Sequence, residues 1–319
     1  MGLRDLAAAA DLEIGASATA AELDDASAAL LGGEFNRLAT ENDLKWGAVR
    51  PEREVFEFDA ADRLVAFAER NDMAVTGHAL VWHVETPDWL RGLGADELAA
   101  ELRTHVRRLT GRYDGRIDTW DVVNEAVADD GTLRESLWYE QLGERYVADA
   151  FRWAAGETDA DLFYNDYGLP YNERKRERVY RLLEGLLERG VPVDGVGLQL
   201  HCVGVHPTPE QLRGTVRRFR ELGLVVRVTE LDVAYRIGEA PEDLAAVQAE
   251  YYRAVVGACL DAGVGSVTLW GVTDDHSWVT SWRDYPERYT GQPLLFDGEG
   301  REKPSYDAVA SVLRERGRD

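Results

Sequence analysis

Two stretches of this sequence place carboxylates at the point where a strand-like run of apolar residues ends. The stretch WDVVNE ends on Asn124 and Glu125, and the stretch VTELD carries Glu230 and Asp232. Two carboxyl groups that face each other are the minimum equipment for glycoside hydrolysis, because one protonates the leaving oxygen while the other attacks the anomeric carbon or activates water. Because the chain has 59 acidic residues, placement alone leaves an unrelated pair of carboxylates as the alternative.

A third strand-like run supplies a histidine for the second of these carboxylates. Gln199 and His201 are two residues apart and therefore share one face of a strand. If that strand adjoins the next one, His201 can reach Glu230, and Asp232 can hold the far side of the imidazole ring. Such a relay would fix and ionise a nucleophile. For His201 alone, a core histidine with a satisfied hydrogen bond is the alternative.

Other predicted strand ends are followed by side chains that suit sugar recognition. Glu41, Asn42 and Lys45 place a carboxylate, an amide and one of only three lysines within five residues. His78 is a further candidate, and indole rings can stack on the apolar face of a pyranose. The tryptophans that follow strand ends are Trp82, Trp270, Trp278 and Trp282. Those that we assign to packing are Trp46, Trp89, Trp138 and Trp153.

Eight short β-rich runs alternate with longer amphipathic runs and must position these side chains. We predict strands over 12–15, 37–40, 74–78, 119–124, 162–165, 196–200, 225–229 and 266–270, and helices over 59–71, 96–113, 139–155, 172–189, 209–221, 241–262 and 304–314. This alternation predicts a parallel sheet, and eight units predict closure into a (β/α)8 barrel of the TIM type, an α/β fold. An open doubly wound sheet, the alternative, would favour a glycine-rich phosphate loop, and the sequence has none.

Length and composition limit the number of domains and the kinds of partner that we expect. Its 319 residues fit one barrel, and we predict a single domain over 1–319 without a separate carbohydrate-binding module. The excess of acidic over basic residues, 59 against 36, gives a net charge of −23 that repels nucleic acid and anionic lipid. No apolar run approaches the ~18 residues of a membrane span. An acidic, lysine-poor surface fits either salt adaptation or a GC-rich coding bias.

The motifs of several other chemistries are missing from the sequence. It contains no HExxH, CxxC, GxSxG or P-loop pattern, so we expect neither a metal nor a cofactor. Cys202 and Cys259 are too few for a disulfide framework, and we expect both to be buried free thiols.

Ten segments carry a resemblance to a known family. In chain order they are TENDLKW, GHALVWH, TPDWL, WDVVNEA, YNDY, GLQLH, VTELDV, LWGVTDDHSW, PLLFD and KPSY, and they extend from Glu41 to Tyr306. The chain resembles the catalytic domain of the endo-β-1,4-xylanases of glycoside hydrolase family 10. This resemblance implies a (β/α)8 barrel that hydrolyses xylan with retention of configuration, with Glu125 as acid/base and Glu230 as nucleophile.

The same resemblance implies roles for the neighbouring side chains. Asn124 would hydrogen-bond the 2-hydroxyl of the sugar under attack, and Gln199 would line that site. His201 and Asp232 would support Glu230, and Tyr167 would stack on the leaving-group side. The residues implied to hold or cover the glycone-side sugars are Glu41, Asn42, Lys45, His78, Trp82, Trp270 and Trp278.

The sequence departs from the pattern of the family in three respects. Glu85 stands where a Gln usually contacts a sugar hydroxyl, which changes the hydrogen-bond donors available there. The residues after YNDY are Gly168, Leu169 and Pro170, where many members have Asn or a similar residue. Many members also pair two cysteines before the eighth strand, and here only Cys259 is present.

The expected partners are xylan and xylo-oligosaccharides, bound by a monomer. One alternative is a cellulase-like or mixed-linkage glucanase, and another is a non-catalytic sugar-binding protein on a decayed barrel. No basic segment followed by a 7–15-residue apolar run opens the sequence. We therefore expect an extracellular protein whose signal peptide is absent from this sequence, with a cytoplasmic enzyme that acts on imported xylo-oligosaccharides as the alternative.

Overall fold

Eight parallel strands form a closed barrel in which each strand pairs with its neighbours in chain order. The computed structural model describes residues 2–281 and 288–317. The strands are β1 Glu13–Ser17, β2 Arg37–Ala39, β3 Ala74–Val81, β4 Thr119–Asn124, β5 Asp161–Tyr167, β6 Gly195–Val203, β7 Val225–Ala234 and β8 Ser266–Leu269. The predicted (β/α)8 barrel is confirmed, and every predicted strand overlaps an observed one.

Helices follow the strands and cover the outside of the barrel. They are α1 Leu3–Ala9, α2 Ser27–Glu34, α3 Trp46–Val49, α4 Asp59–Arg70, α5 Ala95–Arg112, α6 Leu137–Leu142, α7 Arg145–Ala155, α8 Glu173–Glu188, α9 Pro209–Arg220, α10 Leu244–Asp261 and α11 Pro304–Arg316. Within the described ranges, none of these helices combines the length and apolarity that crossing a bilayer requires.

The helices differ from the predicted ones in three places. The single helix predicted over 139–155 is wrong, because Gly143 adopts a φ of 65° and separates α6 from α7. The helix predicted from 241 begins only at Leu244, where Asp243 Oδ1 accepts a hydrogen bond from the backbone N–H of Ala246. The short helices α1, α2 and α3 were not predicted, since few turns leave little periodic pattern to detect.

The core lies between the barrel and the helices. In α5, Leu98, Leu102, Val106 and Leu109 recur every three or four residues and are fully buried. Each such side chain contributes about 1.5–3 kcal/mol of transfer free energy. The predicted burial of the free thiols Cys202 and Cys259 is confirmed.

Strand register brings the candidate residues together at the carboxyl end of the barrel. Between β6 and β7, Gln199 pairs with Glu230 and His201 pairs with Asp232. This pairing depends on a register shift that follows Leu198 in β6. The sequence pattern predicts the two strands but not this shift, which decides which side chains become neighbours.

A close approach fixes the path of β3 just before the site. A Cβ atom at Gly77 would lie 2.4 Å from Cε3 of the buried Trp120 on β4. Any larger residue at position 77 would push the two strands apart. Glycine there therefore allows β3 to deliver His78 to the barrel mouth.

Candidate active site

Glu230 lies on β7 and is buried at the floor of the barrel mouth. Its Oε1 accepts a hydrogen bond from Asn165 Nδ2 at 2.7 Å, and its Oε2 lies 3.0 Å from His201 Nε2. Burial acts to raise the pKa of Glu230, but the hydrogen bond from His201, the electrostatic interactions with His78 and His201 and the hydrogen bond from Asn165 together outweigh it, and the pKa is lowered. Glu230 is therefore held as a carboxylate, the form that a nucleophile requires.

His201 connects Glu230 to a second carboxylate. Its Nδ1 lies 2.8 Å from Asp232 Oδ2, which also accepts a hydrogen bond from Trp278 Nε1 at 2.6 Å. Burial acts to lower the pKa of His201, but the charge of Asp232 and the hydrogen bonds to Asp232 and Glu230 raise it to about 10. At neutral pH the imidazolium therefore donates to both carboxylates, so the predicted relay between these side chains is present.

Glu125 directly follows β4 and adopts a φ of 58°. Its backbone N–H donates to the carbonyl of Asn165 at 2.9 Å, and its carbonyl accepts from Arg134 Nε at 2.8 Å. The left-handed backbone is uncommon for glutamate, and these two hydrogen bonds fix it. The Glu125 side chain contacts Gln199, whose Nε2 donates to Oε1 at 3.1 Å, and His83 Nδ1 lies 3.9 Å from Oε2.

Three side-chain amides, those of Gln199, Asn124 and Asn165, link the carboxylates of Glu125 and Glu230. Gln199 Nε2 donates to Glu125 and to Asn124 Oδ1, the latter at 3.0 Å. Asn165 Nδ2 donates to the same Asn124 oxygen at 3.0 Å and to Glu230. The geometry therefore brings together both candidate carboxylates, Asn124 and Gln199 in one connected group.

Asn165 was not among the predicted site residues. It is completely buried on β5, and its Oδ1 accepts a hydrogen bond from Thr229 Oγ1 at 2.7 Å. The available signal was its place in the YNDY segment, at the end of a predicted strand. Its two donated hydrogen bonds make it the link between the catalytic candidates.

The glycone-side candidates on the loop after β2 form a charged, largely buried group. Lys45 Nζ donates to Asn42 Oδ1 at 2.7 Å and lies 4.7 Å from the centroid of the Trp82 ring. Asn42, which is exposed, donates to Glu41 Oε1 at 3.1 Å, and Ser17 Oγ donates to Glu41 Oε2 at 3.2 Å. The structure thus brings the predicted carboxylate, amide, lysine and indole together.

Burial shifts the protonation equilibria of this group. Burial and the nearby Glu22 carboxylate raise the pKa of Glu41 to about 7, against the opposing charge of Lys45. Burial likewise lowers the pKa of Lys45, although the carboxylates of Glu41 and Glu230 oppose the shift. Near neutral pH, Glu41 can therefore either donate or accept a hydrogen bond from a sugar hydroxyl.

The rings of His78 and Trp270 pack against each other beside His201. His78 Nδ1 lies 2.8 Å from Oδ2 of the buried Asp121, which orients the imidazole. The ring of Trp270 packs edge-on against His78 with centroids 5.1 Å apart, and against His201 at 6.4 Å. Trp278 covers the other side of His201 at 4.6 Å. Trp282 lies outside the described residues.

Glu85, the residue that departs from the family pattern on the glycone side, is exposed. Its φ is 55°, and its carbonyl accepts a hydrogen bond from the backbone N–H of Gly47 at 2.9 Å. It lines a surface groove of about 520 Å³ together with Gly47, Thr86 and Trp89. Its charge acts on Lys45, so the departure from the usual Gln changes the electrostatics of the sugar-binding group.

Tyr167, the leaving-group candidate, lies at the end of β5 between two cations. Arg134 Nη2 donates to its Oη at 3.1 Å, and Lys175 Nζ lies 3.2 Å from its ring centroid. Lys175 is fully buried and forms an ion pair with Asp166 Oδ1 at 2.8 Å. Burial and the Glu125 charge raise the pKa of Asp166 to about 6, against the attraction of Lys175.

The described part of the chain contains no group of three or more His, Cys, Asp or Glu side chains arranged to hold a metal ion.

Two of the four tryptophans that we assign to packing are buried, as that assignment requires. Trp138 and Trp46 are buried and stack on each other with ring centroids 5.1 Å apart.

Comparisons with known proteins agree with this geometry. Residues 2–312 match the family described as Glycosyl hydrolase family 10. The chain is 40% identical over 288 residues to endo-1,4-beta-xylanase B of Thermotoga neapolitana, which covers 89% of this chain and 82% of the relative. It is also 40% identical over 295 residues to a beta-1,4-xylanase of Dictyoglomus thermophilum, covering 87% of this chain and 82% of the relative.

Solved structures give the same result over the full length. Xylanase 10B from Thermotoga petrophila in complex with xylobiose superposes with a TM-score of 0.94 at 37% identity, covering 99% of this chain and 98% of the other. Native xylanase 10B from Thermotoga maritima gives 0.93 at 38% identity, covering 100% and 99%. With this family match over almost its whole length, the chain belongs to glycoside hydrolase family 10.

Proposed function

We propose that this protein is an endo-1,4-β-xylanase that cleaves internal β-1,4-xylosidic bonds of xylan with retention of configuration. The observation that carries the proposal is the buried Glu230 carboxylate, held in its charged form by the His201 imidazolium and joined through Asn165, Asn124 and Gln199 to Glu125. Membership of the family and the xylanase names of its relatives support the choice of substrate.

In the first step, Glu230 attacks the anomeric carbon while Glu125 donates a proton to the departing glycosidic oxygen. The His201 imidazolium keeps Glu230 charged before the attack, and Asn165 holds its other oxygen. A covalent glycosyl-enzyme results.

In the second step, Glu125, now a carboxylate, removes a proton from water, which attacks the same carbon from the other side. Two inversions give net retention. The fixed backbone of Glu125, tied to Asn165 and Arg134, lets one carboxyl group serve as acid and then as base.

The sugar-binding residues support a pentose substrate. Xylose lacks a hydroxymethyl group, and the bulk of Trp278 beside His201 and Asp232 favours the smaller sugar. Relatives in the family have been solved with xylobiose and with xylotriose. Lys45, Asn42 and Glu41 offer donors and acceptors for vicinal hydroxyls, as predicted.

The proposal is tested by following xylan hydrolysis and the configuration of the first product. We expect release of reducing ends from glucuronoxylan, the β-anomer as the first product in the NMR spectrum, and faster cleavage of an aryl xylobioside than of an aryl cellobioside. Glu230→Ala should abolish the release. An α-anomer formed first would indicate inversion, a preference for the cellobioside would indicate a glucanase, and an unmodified protein that cleaves nothing would indicate a sugar-binding protein.

A further inference from the structure

The turn that follows β5 exposes one aromatic side chain at the carboxyl end of the barrel. Gly168, Leu169 and Pro170 are buried, whereas Tyr171 is 54% exposed. In residues 2–281 and 288–317, every other Tyr, Trp and Phe is buried or half-buried. An exposed aromatic ring on a loop beside a substrate site is a feature of binding surfaces.

Hydrogen bonds hold this turn in one conformation. The backbone N–H groups of Tyr171 and Asn172 donate to the carbonyl of Gly168 at 3.2 Å and 2.8 Å. Arg176 Nη1 donates to the carbonyls of Leu169 and Pro170 at 3.1 Å and 3.3 Å. A ring carried by such a fixed turn loses little conformational entropy when it binds a ligand.

The turn is also tied to the loop after β4. Asn172 Nδ2 donates to the carbonyl of Asp129 at 2.8 Å, and Asn172 Oδ1 caps α8 by accepting from Lys175 N–H at 3.1 Å. The turn therefore bridges the two loops that flank the leaving-group side.

Tyr171 follows Tyr167 by four residues, and Arg134 connects Tyr167 to the proposed acid/base residue Glu125. Arg134 donates both to the Glu125 carbonyl and to Tyr167 Oη. Gly168 follows Tyr167 directly, with a φ of 75°, and a Cβ built on it would lie 3.6 Å from Tyr171 Oη and 3.7 Å from Cζ. The hydroxyl end of the Tyr171 ring therefore lies close to Gly168, the residue that directly follows Tyr167.

We propose that Tyr171 binds a xylose unit on the leaving-group side, further from the cleaved bond than the unit that contacts Tyr167. This inference rests on the proposed function. Xylose presents an apolar face that can stack on a phenol ring. A xylose unit stacked there would strengthen binding only of chains long enough to reach the ring.

The test compares a long and a short substrate in two variants. Xylohexaose reaches beyond Tyr167, whereas an aryl xylobioside places only its aryl group on the leaving-group side. We expect Tyr171→Ala to lower kcat/KM for xylohexaose about three- to tenfold, in proportion to a lost aromatic contact, and to leave the aryl xylobioside unchanged. Tyr171→Phe should keep the activity on both substrates close to that of the unmodified protein.

A second readout is the position of the cleaved bond. When the distant leaving-group contact is lost, xylohexaose should bind with more units on the glycone side. Tyr171→Ala should therefore move cleavage toward the reducing end, a change that a purely structural role would not produce. Val225→Ala is the matched control, because Val225 is 49% exposed at the start of β7, at the opposite end of the barrel. It should change neither readout.

Three results would overturn the assignment. Unchanged xylohexaose kinetics and cleavage position in Tyr171→Ala would show that no sugar contacts the ring. An equal loss on both substrates would show that the change acts through the fold or the catalytic group. An unmodified protein inactive on xylohexaose, the aryl xylobioside and xylan would overturn the proposed function itself, and the assignment with it.

Discussion

The two sides of the barrel mouth each place a lysine against an aromatic ring, but with opposite consequences. On the glycone side, Lys45 lies over Trp82 and donates to the exposed Asn42. On the leaving-group side, Lys175 lies under Tyr167 with no exposed surface and forms an ion pair with Asp166. The first lysine can offer donors to sugar hydroxyls, whereas the second can only hold the ring in place.

The difference extends to how each side is built. The glycone side is a group of polar side chains in which burial raises the pKa of Glu41 and lowers the pKa of Lys45, while the attraction between the two charges opposes both shifts. The leaving-group side is an aromatic surface in which Lys175 and Arg134 hold the ring of Tyr167 in place. We infer that the glycone side sets which sugar binds, and that the leaving-group side sets the length of chain that binds well.

The largest expected effect separates the two catalytic carboxyl groups. Glu125→Ala should lower xylan hydrolysis by about 10²–10⁴-fold, because the leaving sugar then departs without a proton. Formation of the glycosyl-enzyme should be spared for aryl xylobiosides with very acidic leaving groups. Azide should restore the second step and give a β-azide product, detectable by NMR. An α-azide product, or no rescue, would identify a different acid/base or an inverting reaction.

His201→Gln tests the support of Glu230. The pKa of His201 in the fold, about 10, lies above the ordinary value of ~6.5, so its protonated form stabilises the fold. That stability is fully present below pH ~6.5 and is lost as the pH rises through about 10. We expect the unmodified protein to exceed the variant in Tm by several degrees at low pH, with the gap narrowing toward pH 10. A gap that is independent of pH would contradict the charged state of His201.

Lys175→Met tests whether the buried lysine fixes Tyr167. We expect kcat/KM for xylohexaose to fall about tenfold, roughly the 1–2 kcal/mol of a desolvated cation–π contact, with a smaller change for an aryl xylobioside. Because an unpaired buried Asp166 would destabilise the fold, the double variant with Asp166→Asn is measured alongside.

Lys303 offers the matched control for this variant. It forms an ion pair with the buried Asp274 at 2.9 Å, as Lys175 does with Asp166, but it contacts no residue of the leaving-group side that we describe. Lys303→Met should lower Tm without changing the ratio of the two substrates. If both lysine variants changed that ratio equally, the positioning role of Lys175 would be wrong.

Glu85→Gln should produce a smaller, glycone-side effect. An amide can both donate and accept, so we expect KM for xylotriose to fall a few-fold while kcat changes little, because the contact is remote from the cleaved bond. Steady-state kinetics on xylotriose measure the change. Identical kinetics in the two proteins would mean that Glu85, although it lines the groove, contacts no sugar.

Salt should affect neither side of the mouth directly, because the sugars are uncharged. With a net charge of −23, we expect added NaCl or KCl to raise Tm at sub-molar concentrations, where the Debye length falls from ~10 Å at 0.1 M toward ~3 Å at 1 M. KM for xylo-oligosaccharides should change little over the same range. A Tm that stays flat or falls with both salts would assign the acidity to compositional drift.

The candidate catalytic carboxylates could be predicted from the sequence because of a simple geometric rule. Strands of a parallel barrel converge at their carboxyl ends, so Glu125 and Glu230 could be placed at one mouth from strand positions alone. The two-residue period of a strand put His201 on the face of Gln199 and Asp232 on the face of Glu230, although the register shift that makes His201 and Asp232 neighbours was not predicted. Both depend on local pattern, which a single sequence records well.

The features that the sequence did not predict depend on strand register and backbone conformation. Asn165 matters because β5 pairs it with Asn124 on β4 and sets it within reach of Glu230 on β7. The left-handed φ of Glu125 is fixed by contacts with Asn165, on the next strand, and with Arg134, on the loop that follows β4. Neither feature leaves a periodic signal, so each becomes visible only once the barrel is assembled.

The most direct test is to trap the covalent intermediate. An aryl xylobioside with fluorine in place of the 2-hydroxyl of the reacting sugar and a very acidic leaving group should form the glycosyl-enzyme and react only slowly with water. We predict one label per protein, carried by the peptide that contains Glu230 and absent from Glu230→Ala. A label on Glu125 or elsewhere, or turnover of the aryl xylobioside that lacks fluorine without any trapped species, would contradict the assignment of Glu230 as the nucleophile.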